Sequence, residues 1–210
     1  MEETSTQTME QVNPSQDFIF DIVHQDSYSR GQLLLRTFFG FFYIMIPHAF
    51  LLWFMTIASL FLKFIAWWAV LITAKDPKSF FDFQLGLLKW STRVSARMLN
   101  LVDGYPSFGL NGVDDKTNVY VAYPETLSRG TLLLRAFLGF IYVYIPHGIC
   151  LLFRFIGLYF VVLIAWWAIL IVGKYPKGMH NYVVGTFRWI MRLNIYMSFM
   201  TDKYPPFSGK

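Results

Sequence analysis

Charge and cysteine are what this 210-residue sequence is short of. Only 15% of its residues are charged, against roughly 25% in an average soluble domain. Hydrophobic residues make up 55% and aromatic residues 20%, more apolar surface than a soluble fold of this size could hide. The one cysteine, Cys150, stands inside an apolar run, so neither an intrachain disulfide nor a cysteine-based metal site can form. Residues 1–27 contain no Lys or Arg and hold six acids. Such a start lacks both the basic opening and the short apolar core of a signal peptide. No Ser/His/Asp set, phosphate loop, HExxH or paired carboxylate is present. An ordinary soluble enzyme, a disordered chain and a secreted disulfide scaffold are therefore excluded. The expectation is a protein that is not an enzyme and carries no cofactor and no metal.

What is abundant is long uncharged sequence. Thr37 to Leu62, Ala136 to Phe153 and Phe155 to Gly173 carry no formal charge, and runs of this length read as membrane spans. The net charge of +5 conceals an asymmetry: beyond residue 27 there are 18 basic against 7 acidic residues, a net +11. These Lys and Arg flank apolar runs, a placement that fits anionic lipid headgroups and not nucleic acid.

The chain also repeats itself. A shift of 99 residues aligns Ser29-Arg30-Gly31 with Ser128-Arg129-Gly130, Ile46-Pro47-His48 with Ile145-Pro146-His147, and Ala66-Trp67-Trp68-Ala69 with Ala165-Trp166-Trp167-Ala168. Of the 83 positions from Tyr28 to Leu110, 36 are identical, which establishes a tandem duplication. The organisation is an acidic tail (1–27), repeat 1 (28–110), a polar linker (111–126) and repeat 2 (127–210). Each repeat has a long apolar stretch (Leu33–Ala74, Leu132–Gly173), a Lys-x-Pro-Lys turn (Lys75, Lys174), an amphipathic stretch (Phe80–Val102, Met179–Thr201) and a closing Asp-x-Tyr-Pro at Asp103 and Asp202.

Forty-two helical residues would be about 63 Å long, against a hydrocarbon core of about 30 Å. Two readings follow. The stretch folds into a hairpin of two short spans, turning near 53–56 and 152–155; or an interfacial helix runs to the proline and one long tilted span follows. Charge placement favours the hairpin. Arg154 divides the second stretch into runs of 18 and 19 uncharged residues, and a charge at mid-bilayer would cost at least ~2.5 kcal/mol. Basic residues stand at the same ends of both copies (Arg30, Arg36, Lys75, Lys78; Arg129, Arg135, Lys174, Lys177), so an even number of crossings keeps them all inside. The expected fold is an all-α integral membrane protein, two parallel copies of a transmembrane hairpin plus an amphipathic interfacial helix, about four spans, with both termini cytoplasmic. Lys63 then falls within a span and must snorkel or face protein.

On the amphipathic stretch, Phe80, Phe83, Leu87, Trp90, Val94, Met98 and Leu101 share one face, while Lys89, Arg93 and Arg97 share another. The second copy keeps Arg188 and Arg192 and has Tyr196 at the third place. This pattern predicts a helix in the headgroup plane whose five cations contact lipid phosphate; the alternative is a helix packed on the spans with a solvated charged face. Trp67, Trp68, Trp166 and Trp167 read as interface anchors. His48 and His147 follow prolines, and each imidazole is expected to bond a carbonyl freed by its proline. With Lys63 and Arg154 they are the intramembrane polar candidates. Asp103 and Asp202, each before a Tyr-Pro at a helix end, read as C-cap or turn chemistry.

The second repeat resembles the bacterial membrane domain-of-unknown-function family numbered 4389. The resemblance rests on Ala165-Trp166, Ile169-Leu170, Gly173-Lys174-Tyr175-Pro176, Gly185, Arg188-Trp189, Arg192 and Asp202-Lys203-Tyr204-Pro205-Pro206-Phe207. It covers most of the chain. Repeat 1 departs at Ala74, Asp76, Lys89 and Ser107, so a function tied to the pattern belongs to repeat 2. The resemblance implies a bacterial inner-membrane location and the fold, and supplies no catalytic residue. The expected function is a non-enzymatic accessory or scaffold subunit of a membrane assembly, in contact with anionic lipid. Its partners are membrane lipids and either a membrane protein or further copies of itself. The alternative is a small pore or transporter between the repeats, lined by Arg154, Lys63 and the histidines.

Overall fold

A computed structural model describes residues 17–210; the first sixteen residues, with Glu2, Glu3 and Glu10 of the acidic tail, lie outside the described residues. The fold is mostly helical. Strand β1 (Phe18–Ile22) is followed by a long helix α1 (Arg30–Thr73) and an amphipathic helix α2 (Lys78–Met98). Strand β2 (Thr117–Val121), a second long helix α3 (Arg129–Val172) and a second amphipathic helix α4 (Lys177–Met197) repeat that order.

Each apolar stretch is one helix of 44 residues. The hairpin turns expected near 53–56 and 152–155 are absent, and so is a break at the proline. The chain has no helix-breaking residue at 53–56 (Trp-Phe-Met-Thr), and Arg154 is satisfied without a turn. Its Nε donates to Thr186 Oγ1 at 2.8 Å, and its guanidinium lies 4.5 Å from the Tyr182 ring. Pro47 and Pro146 are accommodated by a π turn just before them, Phe41–Met45 and Phe140–Tyr144. Ser29 and Ser128 cap the helix starts by accepting from the amides of Gln32 and Thr131.

The two long helices are antiparallel. Tyr28, just before α1, donates its amide to Gly173 just after α3, and Leu127 does the same to Ala74. Arg30 caps the carbonyl of Ile171 and Arg129 that of Ile72. The Arg-Gly pair that opens each repeat therefore closes the far end of the other copy's helix. The strands pair antiparallel with Phe20 opposite Val119, and those residues are 99 positions apart. The pseudo-twofold that exchanges the repeats thus passes between them. β1 lies within the acidic tail and β2 within the linker, and pairing across nearly a hundred residues joins these two segments in one sheet.

Three layers result. Each long helix packs on its own amphipathic helix, and β2 and β1 pack on α2 and α4. Phe20, Ile22, Val119 and Val121 of the strands share one core with Leu88, Ala96, Val184 and Ile195 of the amphipathic helices and with Leu33 and Ile169 of the long ones. Along α1 the buried positions are Leu33, Arg36, Gly40, Ile44, His48, Ser59, Ala66 and Val70, a single stripe at helical spacing. The opposite face is apolar and exposed from end to end, with Phe38 at 68% and Ile72 at 69% exposure. α3 repeats both features.

Candidate functional site

In each repeat a set of polar groups fastens the long helix to the end of its amphipathic helix. Proline has no N–H, so Pro47 leaves the carbonyl of Tyr43, four residues back, without its helical donor. The Tyr105 hydroxyl donates to that carbonyl at 2.9 Å. Tyr204 serves Tyr142, four residues before Pro146, at 3.0 Å. The tyrosine of the closing Asp-x-Tyr-Pro is therefore the partner of the proline in the long helix. The histidines do something other than expected. His48 Nδ1 accepts from the Trp90 indole at 2.9 Å and His147 Nδ1 from Trp189 at 2.9 Å. Neither replaces the freed carbonyl's donor. Each imidazole also stacks on a phenylalanine, Phe108 at 3.9 Å and Phe207 at 3.8 Å. Accepting at Nδ1 places the ring hydrogen of a neutral imidazole on Nε2, and in repeat 2 that atom lies 3.2 Å from the Tyr204 hydroxyl.

A second clip uses arginine. Arg36 and Arg135, both buried, reach the carbonyls at the end of the amphipathic helix and then a carboxylate. Arg36 donates to Arg97 O, Val102 O and Asp103; Arg135 donates to Tyr196 O, Thr201 O and Asp202. The other oxygens of Asp103 and Asp202 accept the amides of Ser29 and Ser128. In place of the local turn role expected of these aspartates, both carboxylates bind groups 67 to 74 residues away, at the start of the same repeat. Arg36 and Arg135, grouped by sequence with the basic flank, are internal.

Two cations of the expected lipid-contact stripe are internal. Arg93 and Arg97 are only 2% and 3% exposed. Arg97 forms a bidentate pair with Asp114 at 2.6 and 2.8 Å, and Arg93 donates to Ser107 O and Gly109 O. Burial raises the Asp114 carboxyl, but the hydrogen bonds from Arg97 and Thr117 and the charge of Arg97 outweigh it and hold it below the ordinary value. Lys89 is half-buried in a hollow of about 160 Å³ beside Arg93, Asp114 and Thr117. Arg188 donates to Phe20 O and Gly209 O, and Arg192 donates to Ser208 O and lies over the Phe18 ring. The basic face of each amphipathic helix receives the repeat's own closing loop and the sheet. Gly86 and Gly185 allow that loop its close crossing. A Cβ on Gly86 would meet Leu110 Cβ at 2.9 Å, and one on Gly185 would meet Gly209 O at 3.0 Å.

The tryptophans divide. Trp68 and Trp167 are exposed on the apolar face. Trp67 packs with Val70, Leu127 and Leu132, and Trp166 donates to Thr37 Oγ1 across the repeats at 2.9 Å. Lys63 lines a cavity of mixed character with Ser59, Gln84, Leu87 and Leu88, while Arg154 binds Thr186 and Tyr182 and is not part of that lining. The structure brings His48 together with Trp90, Tyr105 and Phe108, and His147 with Trp189, Tyr204 and Phe207; it does not bring the two histidines, Lys63 and Arg154 to one path. Among the described residues no group of three or more His, Cys, Asp or Glu could hold a metal ion. Trp90, Trp189, Tyr105, Tyr204 and the two phenylalanines were not predicted as partners. Their identity between the copies was the available signal.

A family model described as Domain of unknown function (DUF4389) matches residues 32–109 and again residues 131–209. No match was found to a curated protein or to a solved structure.

Proposed function

The chain belongs to this family in two tandem copies, and on that premise we propose that it is a non-catalytic membrane scaffold that lies flat in one leaflet. The observation that carries this reading is the shape of the apolar face. Each long helix measures about 66 Å, yet it stays apolar and exposed on one side along its whole length. Upright, it would carry half of that face beyond a hydrocarbon core of about 30 Å. It would also draw the layers behind it into the hydrocarbon, with Asp21, Lys89 and Lys203. Lying in the plane, the exposed Phe, Leu, Ile and Trp side chains enter the leaflet together, and the sheet and loops stay in water.

Anionic lipid still has a role on this reading, through the exposed Lys75, Lys174 and Lys177 at the turns and not through the stripe on α2. The location is the bacterial cytoplasmic membrane, with the described N-terminal end, the linker and the C-terminus all on the cytoplasmic side. The sheet-and-loop layer offers a surface to a partner subunit. A pore between the repeats finds little support, because the exposed faces of both long helices lack the groups that could replace an ion's hydration shell.

Accessibility tests this reading. Cysteines at Asn118, Phe54 and Ser208, each in a Cys150→Ser background, should resist a membrane-impermeant thiol reagent in intact cells. Asn118 and Ser208 should react in inverted vesicles. Labelling of any position along 46–60 or 145–159 from outside the cell would refute the flat placement.

A further inference from the structure

Midway along α1 a groove of about 280 Å³ lies between α1, α2 and the end of α4, and Lys63 lines it together with Ser59, Gln84, Ser91 and Asn194. The fold does not require this polarity. The repeat places Leu158, Val162, Val183 and Ile190 at the positions of Ser59, Lys63, Gln84 and Ser91, and the matching groove on α3 is lined by Phe155, Leu158, Val162 and Trp166. One copy is therefore apolar where the other holds a cation.

The groove's charge is unbalanced, and its neutral polar groups are largely engaged with one another. Ser59 and Gln84 satisfy each other: Ser59 Oγ donates to Gln84 Oε1 at 2.7 Å, and Gln84 Nε2 returns to Ser59 O at 3.2 Å. The Ser91 hydroxyl donates to Leu88 O. Ser198 occupies the carbonyl oxygen of Asn194, which leaves the Asn194 amide as a donor. Lys63 has no hydrogen bond or ion pair among the described residues, and no acid stands near it. What the groove offers is an ammonium and an amide, and what it lacks is a carboxylate to balance the ammonium; the oxygens of Thr56, Ser59, Gln84 and Ser91 keep lone pairs but carry no charge. A cation set in an apolar layer without a counter-charge is costly.

We propose that this groove holds the anionic headgroup of a single amphiphile, with Lys63 as its counter-cation and Asn194 as a second donor. Its volume is at the lower end of ligand pockets, so it receives the headgroup and leaves the hydrocarbon chain outside. Leu60 and Phe64, about 60° and about 100° around the helix from Lys63, are exposed and give that chain an apolar bed. The chemistry recognised is a phosphate or carboxylate oxygen. The chain's bed ties the site to a lipid and not to a free anion, and this last step rests on the membrane reading above.

Native mass spectrometry of the full-length protein in a neutral detergent tests the site. Phosphatidylglycerol, phosphatidylcholine and inorganic phosphate are the three probes. Wild type should retain one phosphatidylglycerol per chain. Phosphatidylcholine on wild type, and phosphatidylglycerol on Lys63→Met, should be at least about tenfold weaker, with Lys63→Arg restoring retention. Asn194→Leu serves as a second variant should Lys63→Met fail to fold, with a smaller loss expected. Equal retention by wild type and the variants would overturn the site. Displacement of the lipid by inorganic phosphate at equal concentration would overturn its assignment to an amphiphile. Detergent binding is independent of how the protein sits in a bilayer, so failure here and failure of the flat placement are separable.

Discussion

The two repeats agree where they are clipped and differ where they are hollow. The proline–tyrosine bond, the histidine–tryptophan bond and the buried arginine–aspartate pair recur in both copies with distances that agree within 0.1 Å. The mid-helix grooves do not recur, since Lys63 and Gln84 stand opposite Val162 and Val183. Geometry that the fold needs has been kept twice, and chemistry that the fold does not need is present once. Where the copies diverge is thus the first place to look for a ligand.

Removing a clip should have the largest effect and should act on both copies alike. Arg36→Ala and Arg135→Ala each strand a carboxylate and two helix-end carbonyls, and each should cost about 3–5 kcal/mol. Thermal melting in detergent measures it. A large loss from one and none from the other would break the equivalence of the repeats. The next effect separates the copies at the turn. Asp76 is buried at the place where repeat 2 has Tyr175, and desolvation raises its carboxyl to about 6. The native state then holds a proton that the unfolded chain releases near pH 3.8. Stability falls as pH rises from about 4 to 6 and stays lower above it, by about 3 kcal/mol. Asp76→Asn should therefore melt higher than wild type at pH 7.5 and close to it at pH 4; an unchanged gap at both pH values would contradict this. The smallest effect concerns the helix ends. Ala74 holds a left-handed conformation at φ 59, where its counterpart is Gly173 at φ 76. Ala74→Gly should add about 1 kcal/mol and Gly173→Ala should remove about as much.

Much of this was legible in the sequence. The duplication, the Lys-x-Pro-Lys turn and the amphipathic helices follow from identities and periodicity, because those signals are local. The hairpin was not correctly legible. Arg154 reads as a charge that must reach water, and its true partners, Thr186 and Tyr182, are 32 and 28 residues away on another helix. The basic stripe failed for the same reason. Nothing local reveals that Asp114 and the carbonyls of Ser107 and Gly109 fold back over Arg97 and Arg93. The strand pair joins residues 18–22 to 117–121, and the apolar Phe18-Ile19-Phe20 inside an acidic segment was its only local sign.

The central claim is that both long helices lie in the membrane plane, and a depth profile tests it most directly. Spin labels at Phe39, Phe54, Phe64 and Ile72, all on the exposed face of α1, would be read by collision with oxygen and with a polar nickel chelate in reconstituted bilayers, in a Cys150→Ser background. The flat placement predicts one shared depth, about 5–10 Å into the headgroup and acyl boundary, at all four positions. A profile that deepens toward the bilayer centre at Phe54 and returns to water at either end would contradict it and establish a crossing helix.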